Sequence, residues 1–251
     1  MRRKERVREE LKHKREFQAH QRQLSRLALL KRILSLVILL LTIITLARFF
    51  FETSDKRRIR DLFSIIQYLA MSLILISPRL LKKYVNFEVP VEVHISVTIF
   101  AFLGLVLGDG LNWYGKIPWW DSVLHFASGV ILSFIALWLM QMMVGAHKIN
   151  YMNKILIYLF VGAFSLACGA FWELCEYSVD DIFKTNNQQY MASTRGTIIS
   201  KDDIPLQGHA ALADTMKDLV LDLDGALVVI GYECSKNGIK KKRNARKRKN
   251  A

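Results

Sequence analysis

The chain has 251 residues, enough for one or two soluble domains, yet its 52% hydrophobic content is gathered into a few long apolar blocks. That pattern excludes an ordinary soluble globule and points to the lipid bilayer as the medium. The formal net charge of +14 comes from 36 Lys+Arg against 22 Asp+Glu. The excess sits at the two ends, where basic tails beside apolar spans signal a cytoplasmic side and anionic lipid headgroups ahead of nucleic acid.

Residues 1–32 carry twelve Lys/Arg, and residues 1–26 contain neither Pro nor Gly, which predicts a solvated or membrane-surface helix. This stretch is too long for a signal-peptide n-region, and Phe49-Phe50-Phe51 offers no small-residue cleavage site. The first apolar block is therefore expected to remain as an anchor. It forms span one, Ile33–Phe51, with Arg48 snorkelling towards the interface. Span two is expected over Leu62–Ser77, ended by Pro78. Spans three, four and five follow at Val91–Trp113, Asp121–Val144 and Ile155–Tyr177.

Residues 182–212 read as a long polar loop, and span six is placed at Asp214–Tyr232, interrupted by Asp222 and Asp224. A carboxylate at a helix centre costs roughly 2.5–3.5 kcal/mol on insertion scales, so hydropathy by itself passes over such a span. The expected fold is an all-α, polytopic transmembrane bundle of about six spans. Its parts are a basic segment at 1–32, a membrane domain at 33–232 and a basic tail at 233–251. With both termini cytoplasmic, the inside segments hold twenty-six Lys/Arg and the outside loops eight. The loop with Lys56, Arg57, Arg58 and Arg60 runs against this orientation, but five spans would put the basic tail outside. Cys168, Cys175 and Cys234 have no metal-binding or CxxC spacing.

Chemistry gathers in four pieces. Asp109 closes span three, and Asp121 and His125 open span four, followed by Gly129. Glu173, Glu176 and Asp180 end span five, and Asp214, Asp218 and Asp222 open span six, with Gly225 beyond them. Spacings of three and four residues put each set on one helix stripe. Connectivity brings all four pieces to one membrane face, alongside Trp113, Tyr114, Trp119 and Trp120, an aromatic set suited to the interface.

A capping role is open for Asp121 and Asp214, since acidic residues favour helix N-termini. It does not serve Glu173, Glu176 and Asp180 at a helix C-terminus, nor Asp222 two turns into its span. His94 and Glu92 open span three away from this set. Asp181, Lys217 and Asp224 point off the stripes, and Arg195 and His209 fall in the loop, where they suit a lid.

These motifs, Gly-Asp, Trp-Asp-x-x-x-His-Phe-x-x-Gly, Phe-Trp-Glu-x-x-Glu and Asp-Thr-x-x-Asp-x-x-x-Asp-x-x-Gly-Ala, resemble the YjdF-like family of bacterial inner-membrane proteins. The resemblance covers Asp109–Ala226 and implies a bacterial cell-membrane protein, without supplying a reaction. The Asp/His, Glu, Asp order is also similar, more distantly, to VanZ-like glycopeptide-resistance proteins.

Eight carboxylates against one histidine share a partly buried face only if protons or cations offset them. Oxygen-rich ligands with one imidazole suit Mg²⁺, Mn²⁺ or Ca²⁺, with Zn²⁺ also open. The expected metal set is Asp109, Asp121, His125, Glu173, Glu176, Asp180, Asp214, Asp218 and Asp222. If the site is catalytic, His125, oriented by Asp121, acts as general base or ligand on a lipid-linked envelope substrate. A cation- or proton-coupled transporter and a non-catalytic membrane scaffold are the other readings. Nucleophile motifs, phosphate loops and nucleotide fingerprints are not present in the sequence.

Overall fold

The computed structural model describes residues 2–145, 148–192, 199 and 203–249. Regular structure among them is helical, apart from isolated bridge positions such as Met191 opposite Pro205. Two compact units are present, Met1–Val106 and Leu107–Ala251.

The first unit is built from α1 (Arg2–Phe51), α2 (Asp55–Val85) and α3 (Val91–Ala101). On α2 the buried positions are Asp61, Ser64, Tyr68, Met71 and Leu75, spaced by three and four, so one stripe meets its neighbours. Leu34 and Ile38 of α1 join Tyr68, Met71 and Leu75 in the core. The opposite surfaces are apolar: Leu36, Leu39, Leu40, Ile43, Leu69 and Leu73 are all exposed. Polar groups inside and leucines outside invert the arrangement of a soluble protein and match a bilayer surround.

At the turn between α1 and α2, Glu52 accepts from the backbone N–H groups of Thr53 and Ser54 and pairs with Arg57 at 3.1 Å. The Ser54 N–H, aided by the Arg57 guanidinium, holds the Glu52 carboxyl below its ordinary range. Arg48 does not simply snorkel: its Nη2 lies 2.6 Å from the buried Asp61 Oδ1, pinning the end of α1 to the start of α2.

Pro78 does not end α2, which continues to Val85. Proline removes the N–H that the Ile74 carbonyl would have accepted. The Ser77 hydroxyl donates to that carbonyl at 2.9 Å, so the helix survives the missing bond. It stops at Asn86, whose left-handed φ of 53° lets the following Phe87 N–H reach the Leu81 carbonyl at 3.2 Å.

The third apolar block is α-helical only to Ala101 and becomes a π-helix over Phe102–Gly110. It ends there rather than at Trp113. Asn112 takes φ 58°, and a short α4 (Trp113–Lys116) turns the chain. A Cβ at Gly108 would press on the Tyr114 ring, so glycine lets that ring lie against the end of the helix.

The second unit is dominated by α5 (Trp120–Val144), α6 (Lys154–Phe183) and α7 (His209–Lys249), which pack on one another. Asn153 caps α6 through its side chain, 3.0 Å from the Ile155 N–H. Helix α6 runs beyond the expected Tyr177, so the connecting loop is shorter than residues 182–212. Close approach of α5 and α7 depends on glycine. A Cβ on Gly129 would overlap the Asp222 carbonyl, and one on Gly225 would overlap the Phe126 carbonyl. Away from the acidic end, Ala136, Met140, Ile149, Ile157 and Val161 form an apolar core.

Five helical stretches among the described residues are long and apolar enough to cross a membrane: Glu10–Phe51, Asp55–Val85, Val91–Gly110, Trp120–Val144 and Lys154–Phe183. The chain is thus an all-α, polytopic membrane protein. Helix α7 is not among the five, because Asp214, Lys217, Asp218, Asp222 and Asp224 charge its apolar part.

Candidate functional site

The start of α5, the end of α6 and the start of α7 meet in the second unit, so the three helices alternate in direction. Asp121 is not the cap of α5, since Trp119 holds the N-cap position. Asp214 is not a cap either, because α7 begins five residues earlier, at His209. Each instead turns inward on the stripe its spacing implies. Asp121, His125, Glu173, Asp180, Asp214, Asp218 and Asp222 are all buried.

His125 is the hub. Its Nδ1 lies 3.2 Å from Asp222 Oδ2, and since a carboxylate only accepts, the ring carries its proton on that nitrogen. The Nε2 faces three carboxylate oxygens from three helices. They are Asp121 Oδ1 at 3.7 Å, Asp218 Oδ2 at 3.8 Å and Glu173 Oε1 at 3.9 Å. The Asp121, His125 and Asp218 ligand atoms all lie within 4.8 Å of one another. The carboxylate that orients the imidazole is therefore Asp222, and Asp121 stands on the opposite side of the ring.

Asp222 is fully buried and held from several sides. Ser128 donates to its Oδ1 and lies 2.7 Å from the His125 carbonyl, while Gly169 leaves room for the carboxylate against α6. The Ser165 hydroxyl sits 3.4 Å from both the Asp222 and Gly129 carbonyls. Asp218 differs: it is 0% exposed, and neither of its oxygens has a hydrogen-bond partner. A buried carboxylate in that state needs a cation or a proton.

Of the remaining expected ligands, Asp180 anchors the loop. Its Oδ1 accepts from Thr185 Oγ1 at 2.7 Å and from both the backbone and side-chain N–H of Asn187 at 2.8 Å, and its Oδ2 accepts from the Gln188 N–H at 2.9 Å. These donors offset a negative charge at the end of α6, where the helix dipole opposes it. Asp214 Oδ1 accepts from Gln189 and from Lys217, each at 2.9 Å. Glu176 is half-buried and accepts from the Trp172 indole at 2.9 Å on the flank of α6. Asp109, half-buried, lies at the end of the π-helix.

Several partners were not legible from motif spacing. Gln188 reaches from the loop to Glu173 Oε2 at 3.3 Å and Thr215 at 3.2 Å. The signal for it is the run Thr185-Asn186-Asn187-Gln188-Gln189, five consecutive hydrogen-bonding side chains beside an acidic helix end. Burial, with the Asp180 and Asp181 charges, raises the neighbouring Tyr190 phenol above its ordinary value. Lys217 does not point away from the cluster, because its Nζ also lies 3.7 Å from Asp218 Oδ1. Asp224 and Asp181 are exposed, and His209 is exposed at the start of α7. Arg195 lies outside the described residues. Cys168 and Cys175 are free and half-buried.

The family model described as "Predicted membrane protein (DUF2238)" matches residues 32–236. A Thermotoga maritima protein described as "Uncharacterized protein" is 27% identical over 153 residues, which are 59% of this chain and 65% of that protein. The chain thus spans a little under two thirds of the length of this curated relative. No solved structure matches.

Proposed function

From the premise that the chain belongs to this predicted membrane protein family, we propose that it holds a divalent cation among α5, α6 and α7. The ligands are Asp121, His125, Glu173 and Asp218. The observation that carries the reading is the ring of three carboxylate oxygens around His125 Nε2, with Asp218 wholly buried and lacking a hydrogen bond. The Asp121, His125 and Asp218 ligand atoms lie within 4.8 Å of one another, near enough for one cation with bonds of about 2.0–2.6 Å to reach all three. Asp222 is the outer carboxylate that fixes the histidine tautomer, as carboxylates behind metal-bound imidazoles do. Asp109, Glu176, Asp180 and Asp214 form the acidic surround.

In this reading α7 is a sixth span, both termini are cytoplasmic, and the site lies at the extracytoplasmic face of a bacterial cell membrane. A cation held there would polarise a phosphoryl or acyl group of a lipid-linked envelope substrate. His125 would serve as a ligand, and Asp121 or Glu173, through its oxygen not on the cation, would accept the proton of an attacking water.

Thermal unfolding of the detergent-purified, chelator-treated protein tests the site. Adding Mg²⁺, Mn²⁺, Ca²⁺ or Zn²⁺ in turn should raise Tm for at least one of them, since a ligand at a hundred times its Kd stabilises by about 2.7 kcal/mol. Glu173→Gln and Asp218→Asn should abolish the shift, while Asp224→Asn should retain it. If no cation stabilises the protein and none co-purifies with it, the metal reading fails. A proton or cation relay along Asp214, Asp218 and Asp222 would then take its place.

A further inference from the structure

The centre has a second cation position, and the chain fills it itself. Asp218 stands between the imidazole side of the centre and a lysine. Its Oδ2 faces the His125 ring at 3.8 Å, and its Oδ1 faces the Lys217 ammonium at 3.7 Å. On its other side that ammonium pairs with Asp214 Oδ1 at 2.9 Å. Asp214 and Asp218 are buried, whereas the Lys217 side chain is 46% exposed and enters from the rim. A carboxylate with one oxygen towards each of two cations is the arrangement of a bridging ligand in two-cation centres, which clamp two oxygens of a substrate at once.

We infer that the Lys217 ammonium occupies the second cation position of a centre bridged by Asp218, so the native chain binds one divalent ion where its carboxylates would otherwise hold two. The inference rests on the cation reading above. Charge supports it. Asp121, Glu173, Asp214, Asp218 and Asp222 bring five carboxylates together around a single imidazole, more negative charge than one divalent ion offsets. An ammonium supplies one positive charge and three N–H donors, and it cannot leave with the solvent. Beside a polarising ion it also offers a proton donor to the oxygen bound there. The second clamp of the centre is then a hydrogen-bonding group in place of a metal.

Metal analysis of the detergent-purified full chain, equilibrated with excess Mn²⁺ and freed of unbound ion, tests this directly. The native chain should retain one Mn²⁺, and Lys217→Gln should retain two without weakening the first. Lys217→Arg should retain one, because the guanidinium keeps the charge. Adding Asp214→Asn to Lys217→Gln should restore a count of one by removing a wall of the second position. One ion in Lys217→Gln, or two in the native chain, overturns the inference and leaves the cation site standing. No ion in the native chain defeats the cation reading itself. Lys217→Ala gives the same readout if Lys217→Gln does not purify. Loss of folded protein in both, unrescued by excess Mn²⁺, also counts against the inference, since the ion should replace the ammonium.

Discussion

At the scale of single residues, the two buried carboxylates on α7 have opposite surroundings one turn apart. Asp222 is supplied with donors by His125 and Ser128, so its charge is compensated inside the protein. Asp218 is equally buried and has no hydrogen-bond donor on either oxygen. The difference assigns them different roles and makes the roles separable. Asp218→Asn should eliminate cation binding, because it removes a ligand. Asp222→Asn should weaken it about tenfold to a hundredfold without eliminating it, the usual effect of losing a partner behind a metal-bound imidazole. Titration calorimetry with Mn²⁺ distinguishes the two cases. Equal and complete loss in both variants would place Asp222 in direct contact with the ion.

At the scale of elements, the site depends on how closely α5 and α7 approach. Gly129 faces the Asp222 backbone, and Gly225 faces the backbone around Phe126 and Val130. A methyl at either position must move main chain rather than a flexible side-chain tip. Gly129→Ala or Gly225→Ala should therefore cost about 1–3 kcal/mol, as overpacking does, and weaken the cation shift by parting the helices. Gly231 lies on the same α7, and a methyl there would meet nothing within 4 Å. Gly231→Ala should stabilise by about 0.5–1 kcal/mol through helix propensity, with the cation shift intact. A loss of Tm in Gly231→Ala as large as in Gly225→Ala would refute the close-approach argument.

The same elements show what the sequence could and could not convey. Helix α5 was legible almost to the residue, because a long apolar run bounded by Trp120 and Gly145 has one helical solution. The stripes on α5 and α7 followed from spacing, since a helix repeats every 3.6 residues whatever its neighbours are. The end of α2 was not legible. Pro78 normally stops a helix, and only the contact of Ser77 with Ile74 shows why this one continues. Nor could spacing show that Gln188 and Asp180 tie the loop to the site, since that pairing depends on how the chain turns after Lys184. Lys217 was misplaced because a stripe describes where Cβ atoms point, whereas a lysine spans several ångströms beyond its own stripe.

At the scale of the whole molecule, orientation decides which compartment the acidic cluster faces. Helix α1 has 50 residues, a rise of about 75 Å against a hydrocarbon core of about 30 Å. Its basic first half therefore extends beyond the bilayer, and the basic end of α7 is likewise continuous with its helix. Twelve Lys/Arg in residues 1–32 and nine in 236–249 outweigh the four at Lys56, Arg57, Arg58 and Arg60. The minority loop is also tied down locally, with Arg57 on Glu52 and Arg58 over the Phe49 ring at 5.0 Å. Both termini should then be cytoplasmic, with Thr53 and Ile204 outside. Cys234 is exposed and serves as a native reporter once Cys168 and Cys175 are replaced by serine. In intact cells a membrane-impermeant maleimide should miss Cys234 and react only after lysis. Thr53→Cys and Ile204→Cys, made in a cysteine-free background, should react before lysis. Labelling of Cys234 in intact cells, with Ile204→Cys shielded, would turn the molecule over and place the acidic cluster on the cytoplasmic face. Shielding of Thr53→Cys alone would mean that α1 and α2 form a re-entrant pair. The site would then keep its compartment, because α5, α6 and α7 place it independently of the first unit.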